Sequence, residues 1–159
     1  MKNAACVLVI LVLGLLLMSS NVTVNYYVDG IDNTIVQQSF NSWNFKKVVW
    51  KEVLFEEDAN LIIKKTSYLT VPTRYGEANT RIIKINSKYK FSEKELVSLI
   101  SHEIGHYVFL GHNNKHSIMN DKIKLKDKTV TEEDKKINFI RLRIFAVKIL
   151  GCGVDLSKN

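Results

Sequence analysis

Apolar residues fall first in one unbroken run, then in short β-prone clusters, and finally at helical spacing. The unbroken run is Ala4 to Met18. After it, Tyr26-Tyr27-Val28 predicts a short strand closed by the turn pair Asp29-Gly30. Val36, Phe40 and Trp43 then share one face at i, i+4 and i+7, so a helix follows, capped by Asp32 or Asn33. Lys47 to Phe55, rich in Val, Trp and Phe, and Leu61-Ile62-Ile63 predict two further strands. Thr66 to Thr80 holds Pro72 and Gly76 and predicts a surface loop. Arg81 to Ile85 predicts a strand with Arg81, Ile83 and Ile85 on one face and Ile82 and Lys84 on the other.

The period then changes. Ser92 followed by Glu95 is a capping box, and Leu96, Leu99, Ile100 and Ile104 carry an apolar face onward from it. Gly111 is the expected stop of that helix. Asp121 to Lys128 predicts a lysine-rich loop. Thr131 with Asp134 opens a last helix marked by Ile137, Ile140, Ile144 and Val147, and Gly151 and Gly153 end it. Strands and one helix first, then two helices around an irregular segment, make a single α+β domain over residues 21–159.

Ala4 to Met18 has the length of a secretory signal core, about 7–15 residues, and falls short of the ~17–25 of a membrane span. Small residues occur at Ser19 and Ser20, but Leu17 or Met18 stands where a second small one is preferred, so residues 1–20 are read as a signal peptide or an uncleaved signal anchor. Either way Lys2 stays inside, residues 21–159 are exported, and membrane association through residues 4–18 is open. The exported part keeps one cysteine, Cys152, so it forms no internal disulfide, and that cysteine is read as an idle thiol. Asn21-Val22-Thr23 fits a glycosylation acceptor. The chain is 46% apolar and 25% charged, enough apolar content for a core, which excludes disorder for most of it. A net charge of +7, mostly lysine, is read as a solvated surface; no basic stripe with interleaved aromatics suggests a nucleic-acid partner.

All four histidines lie between positions 102 and 116. In His102-Glu103-Ile104-Gly105-His106, the two histidines are one helical turn apart on the same face, and two neutral imidazoles there suit zinc. Glu103 is placed to reach a water at that metal without ligating it. A catalytic zinc usually takes three protein ligands, and His112 can supply the third if the chain reverses near Gly111. His116, a rival third ligand, is read as a loop residue.

With Met119 following them, these residues resemble the metzincin zinc peptidases, whose extended zinc motif precedes a Met-turn. The upstream segments Tyr26-Tyr27-Val28, Phe40 with Trp43, Val53-Leu54-Phe55 and Asn60-Leu61-Ile62-Ile63 are similar to the first strand, first helix and second and third strands of its matrixin branch, and Thr131 to Asp134 to the start of its final helix. The resemblance covers nearly all of residues 24–150. It implies a metzincin-like catalytic domain: a small twisted mixed sheet, an N-terminal helix, an active-site helix and a C-terminal helix. It also implies one catalytic Zn²⁺ on His102, His106 and His112, with Met119 as a hydrophobic floor. One departure stands out: Phe109 occupies the position where the family has the glycine that ends the helix.

The implied activity is zinc-dependent endopeptidase cleavage with Glu103 as general base, acting as a monomer on a protein or peptide substrate. Arg81–Ile85 is the candidate edge for an extended substrate. No calcium site is read from the sequence. Two alternatives stay open. One is the other large type of zinc peptidase, with Glu132 or Glu133 as third ligand; the other is a non-catalytic, secreted or tethered zinc-binding protein with a degenerate peptidase fold.

Overall fold

The computed structural model describes residues 21–121 and 124–136; the expected signal segment, the body of the last helix and Cys152 lie outside them. Five strands form one mixed sheet: β1 (Val22–Asp29), β2 (Val48–Glu52), β3 (Leu61–Thr66), β4 (Gly76–Ala78) and β5 (Ile82–Asn86). Their order is β2-β1-β3-β5-β4, with every neighbouring pair parallel except β4 on β5. Among the described residues two full α-helices, α1 (Asn33–Trp43) and α2 (Glu93–Tyr107), pack on the sheet and on each other, and residues 132–136 begin a further helix. The architecture is therefore α+β, as expected. Among the described residues no helix is long and apolar enough to cross a membrane.

Capping fixes where both helices begin. Asp32 accepts from the Thr34 N–H at 2.8 Å and the Thr34 hydroxyl at 2.7 Å, satisfying a donor that the first turn would leave bare. At Ser92 the anticipated capping box is complete: Glu95 Oε2 accepts from the Ser92 N–H at 2.9 Å, and Ser92 Oγ accepts from the Glu95 N–H at 3.4 Å. The apolar face of α1 buries Val36, Phe40 and Trp43, and Phe40 stacks on Trp50 of β2 with ring centroids 3.9 Å apart. Each such large side chain contributes about 1.5–3 kcal/mol by leaving water. Trp43 Nε1 donates to the Ser101 carbonyl at 3.0 Å, and Ser39 Oγ to the Val97 carbonyl at 3.2 Å, so α1 holds α2 in fixed register.

Several expectations change. β1 starts at Val22, four residues before the predicted strand, because its first half pairs with β2. β2 ends at Glu52, so Val53-Leu54-Phe55 is not strand: Leu54 is 85% and Phe55 58% exposed, and a 3₁₀ turn over Glu56–Asp58 follows. The segment read as a loop, Thr66 to Thr80, contains β4. Arg81–Ile85 is not an edge: β5 has β3 on one side and β4 on the other, and β4 is the outer strand. The face assignment of β5 does hold, with Ile83 and Ile85 fully buried.

Candidate metal centre

α2 carries His102 and His106 in its last turns, and the way the helix ends decides whether a third histidine reaches them. Its stop is not Gly111. The last helical residue is Tyr107, and Phe109 takes a left-handed conformation at φ 67°. The Phe109 N–H donates to the His106 carbonyl at 2.8 Å, and the Leu110 N–H to the Gly105 carbonyl at 2.8 Å. This pair of bonds is the Schellman closure, and it normally puts glycine where Phe109 stands. A non-glycine residue there costs roughly 1–2 kcal/mol, which the two bonds and the burial of Leu110 offset. The reversal sends the Leu110 carbonyl back to His106 Nδ1 at 2.9 Å and turns the chain so that His112 comes over the helix end.

The three imidazoles converge. His102 Nε2 and His106 Nε2 lie 3.1 Å apart, His106 Nε2 and His112 Nε2 3.1 Å, and His112 Nε2 and His102 Nε2 3.2 Å. These are not ordinary hydrogen bonds. His102 Nδ1 contacts the Ile118 carbonyl at 2.7 Å, as His106 Nδ1 contacts that of Leu110, and a carbonyl only accepts. Both Nδ1 atoms therefore carry the proton, and both Nε2 atoms present bare lone pairs to each other. Lone pairs this close repel unless a cation lies between them. Tetrahedral ligation with metal–nitrogen bonds of about 2.0–2.1 Å would put the ligand atoms about 3.3 Å apart, close to what is found. The three histidines can hold a metal ion, and they are the one such group among the described residues.

Burial supports the neutral state. It pushes His102 down to about 3 and lowers His106, so neither takes up a proton near neutrality. Asp121 Oδ2 stands 3.9 Å from His112 Nδ1, on the exposed side of the cluster.

The loop after His112 supplies the floor. The Asn113 N–H donates to the Met119 carbonyl at 3.1 Å, Ser117 Oγ to Asn113 Oδ1 at 3.0 Å, and Asn120 Nδ2 to the Lys115 carbonyl at 2.7 Å. This tight turn presents the Ile118 carbonyl to His102 and buries Met119 under the helix. Gly105 is what lets it in: a Cβ there would collide with Met119 Sδ and meet Trp43 Cζ2 at 3.2 Å. Met119 is thus buried against Gly105 of α2.

Glu103 packs against Gly76 of β4. It is only 4% exposed, and its Oε2 has no hydrogen-bond partner among the described residues. Burial raises its carboxyl to about 8, against the fields of Lys128 and Arg74, which pull it down. Gly76 covers it: a Cβ on Gly76 would stand 2.8 Å from Glu103 Oε1. The sequence alone gave no sign of Gly76 or Lys128, since one lay in a presumed loop and the other in a lysine-rich run.

The rival ligands are elsewhere. Glu132 pairs with Lys135 at 2.7 Å, Glu133 pairs with Lys115, and His116 is exposed. None of them belongs to the metal-ligating group. No known protein family matches the chain, and no curated protein matches it.

Proposed function

We propose that the chain is a zinc-dependent endopeptidase of the metzincin type, closest to its matrixin branch. The observation that carries the reading is the convergence of three imidazole Nε2 atoms at 3.1–3.2 Å, next in sequence to a buried glutamate with one unpartnered oxygen. Three imidazole nitrogens at this spacing suit zinc, and three protein ligands are the usual complement of a catalytic site. When bound, such an ion supplies the positive charge that acidifies a nearby water and polarises a carbonyl. A purely structural site would fill all four positions with protein ligands and would have no use for a buried glutamate next to the first ligand.

The chain's own groups then do the rest. Glu103 keeps its proton up to about pH 8 in the metal-free fold; the positive charge of a bound ion would lower that value, and the ionised carboxylate can then take a proton from the attacking water and pass it to the leaving amine. The Ile118 and Leu110 carbonyls hold His102 and His106 in the tautomer that ligates through Nε2. Gly76, with no side chain, lets the β4 backbone approach Glu103 closely. The outer edge of β4, unpaired among the described residues, offers backbone groups to an extended substrate. Export of residues 21–159 belongs to the same reading, since residues 4–18 have the character of a signal segment.

The test is hydrolysis of a quenched-fluorescent peptide library by zinc-loaded protein, with Glu103→Ala alongside. Turnover in the wild type, lost in the variant while its zinc content is unchanged, is the expected result. Equal turnover in both would remove Glu103 from the mechanism, and no turnover in a zinc-loaded wild type would remove the peptidase reading.

A further inference from the structure

Two of the three histidines are held from behind by the backbone, and the third is not. The Ile118 carbonyl accepts from His102 Nδ1 at 2.7 Å, and the Leu110 carbonyl from His106 Nδ1 at 2.9 Å. His112 turns its Nε2 into the cluster in the same way, 3.1 Å from that of His106 and 3.2 Å from that of His102. Its Nδ1 meets no carbonyl, and no hydrogen bond among the described residues uses it. The group that faces it is the Asp121 carboxylate, with Oδ2 3.9 Å away.

Main-chain bonds put Asp121 there. The Asn113 N–H donates to the Met119 carbonyl at 3.1 Å, and the Asn120 N–H to the Ser117 carbonyl at 3.2 Å. The first bond ties the residue after His112 to a residue two before Asp121. The turn therefore brings its exit back alongside His112, whatever the Asp121 side chain does. That side chain is 52% exposed, and its carboxylate makes no other ion pair among the described residues. It can rotate toward the ring without giving up another partner.

The chemistry of the pair fits. A neutral imidazole that ligates through Nε2 carries its proton on Nδ1. A carboxylate accepts that proton more strongly than a carbonyl or water does, and it makes the ring a better ligand. We infer that Asp121 is a positioning residue of the metal centre, whose carboxylate accepts the Nδ1 proton of His112 and holds that ring with Nε2 on the ion. The gap is about 1 Å longer than a charge-assisted hydrogen bond, and a turn of the exposed side chain closes it. His112 is the ligand that needs such a partner most, since it stands on a loop while His102 and His106 stand on α2. The inference rests on the metal centre of the proposed function and does not depend on turnover.

The test is the zinc affinity of the full-length chain, measured by competition with a chromophoric chelator. Wild type is compared with Asp121→Ala, Asp121→Asn and Asp127→Ala. Asp127 is an exposed aspartate of the same stretch, so its variant removes the same charge away from the ring. Asp121→Ala should weaken zinc binding by roughly tenfold or more, as loss of such a partner does. Asp127→Ala should not, and Asp121→Asn, which keeps an acceptor oxygen, should recover part of the loss. In the zinc-loaded proteins the ring nitrogens are followed by NMR through the carbon-bound ring protons. The His112 Nδ1 resonance should move in Asp121→Ala while those of His102 and His106 stay. Equal zinc affinity in wild type and Asp121→Ala, an equal loss in Asp127→Ala, or an unmoved His112 resonance would overturn the assignment and leave the metal centre standing. A folded wild type that binds no zinc would overturn both.

Discussion

Replacing Glu103 with glutamine should make the metal-free protein more stable at neutral pH while removing its activity. Glutamine has the same shape as glutamate and cannot ionise. Glu103 has an ordinary carboxylate value of 4.5 when unfolded and is raised to about 8 in the fold, mainly by burial. The sign follows from proton binding. Below 4.5 both states hold the proton and the group is neutral in its effect on stability. Between 4.5 and 8 the unfolded chain releases the proton and the folded chain retains it, so stability is lost as pH rises through this window. Each pH unit there costs about 1.4 kcal/mol, which amounts to about 3 kcal/mol between pH 5 and pH 7.5. Packing differences between the two side chains do not vary with pH and cancel from the change. Neighbouring histidines titrate in both proteins and largely cancel too. The assay is urea unfolding of chelator-treated wild type and Glu103→Gln at pH 5.0 and 7.5. The stability advantage of the variant should grow by about 3 kcal/mol over that interval, or roughly 6–12 °C in Tm for a chain of this size. An advantage that stays constant within about 0.5 kcal/mol would refute the claim that the fold buries this carboxyl at such cost.

Two further substitutions probe how the site is held. Gly76→Ala places a methyl against Glu103 Oε1 and should displace the carboxylate, lowering kcat while leaving zinc content and KM near wild type; unchanged kcat would mean that Glu103 tolerates the shift. Phe109→Val puts a β-branched residue at φ 67° and should destabilise the protein by about 1–2 kcal/mol, whereas Phe109→Gly should stay within about 1 kcal/mol of wild type. Chemical denaturation of the two variants measures the contrast, and a valine variant as stable as the glycine one would contradict the backbone reading.

The parts of the fold legible in the sequence are those written by local chemistry. The Ser92 and Glu95 pair, the Thr131 and Asp134 pair, and the apolar face of Val36, Phe40 and Trp43 each depend on residues within two turns of one another. In the structure Thr131 Oγ1 indeed accepts from the Asp134 N–H at 3.2 Å, and Asp134 Oδ2 accepts from the Thr131 N–H at 2.9 Å. The one-turn spacing of His102 and His106 is local in the same sense. Features set by partners distant in sequence were not legible. β4 is three residues long and includes a glycine, so it has too few side chains to show alternation; it exists because β5 pairs with it. Leu54 and Phe55 read as strand because they are β-prone, but the bonding to β1 stops at the Val53 N–H, which donates to the Tyr26 carbonyl at 2.9 Å. Phe109 was legible as a departure from the pattern of the family the motif resembles, but not as the residue that adopts the glycine's own conformation. Gly111 drew the helix stop because glycine is the usual signal, and the Schellman bonds from Phe109 and Leu110 ended it earlier.

The account turns on whether His102, His106 and His112 hold one ion together. The direct measurement is the zinc content of the purified full-length chain after zinc loading and dialysis, beside that of His112→Ala. About one zinc per chain in the wild type, lost or much weakened in the variant, is the result predicted for a three-histidine site. Equal zinc in the two proteins, or a folded wild type that retains none, would contradict it.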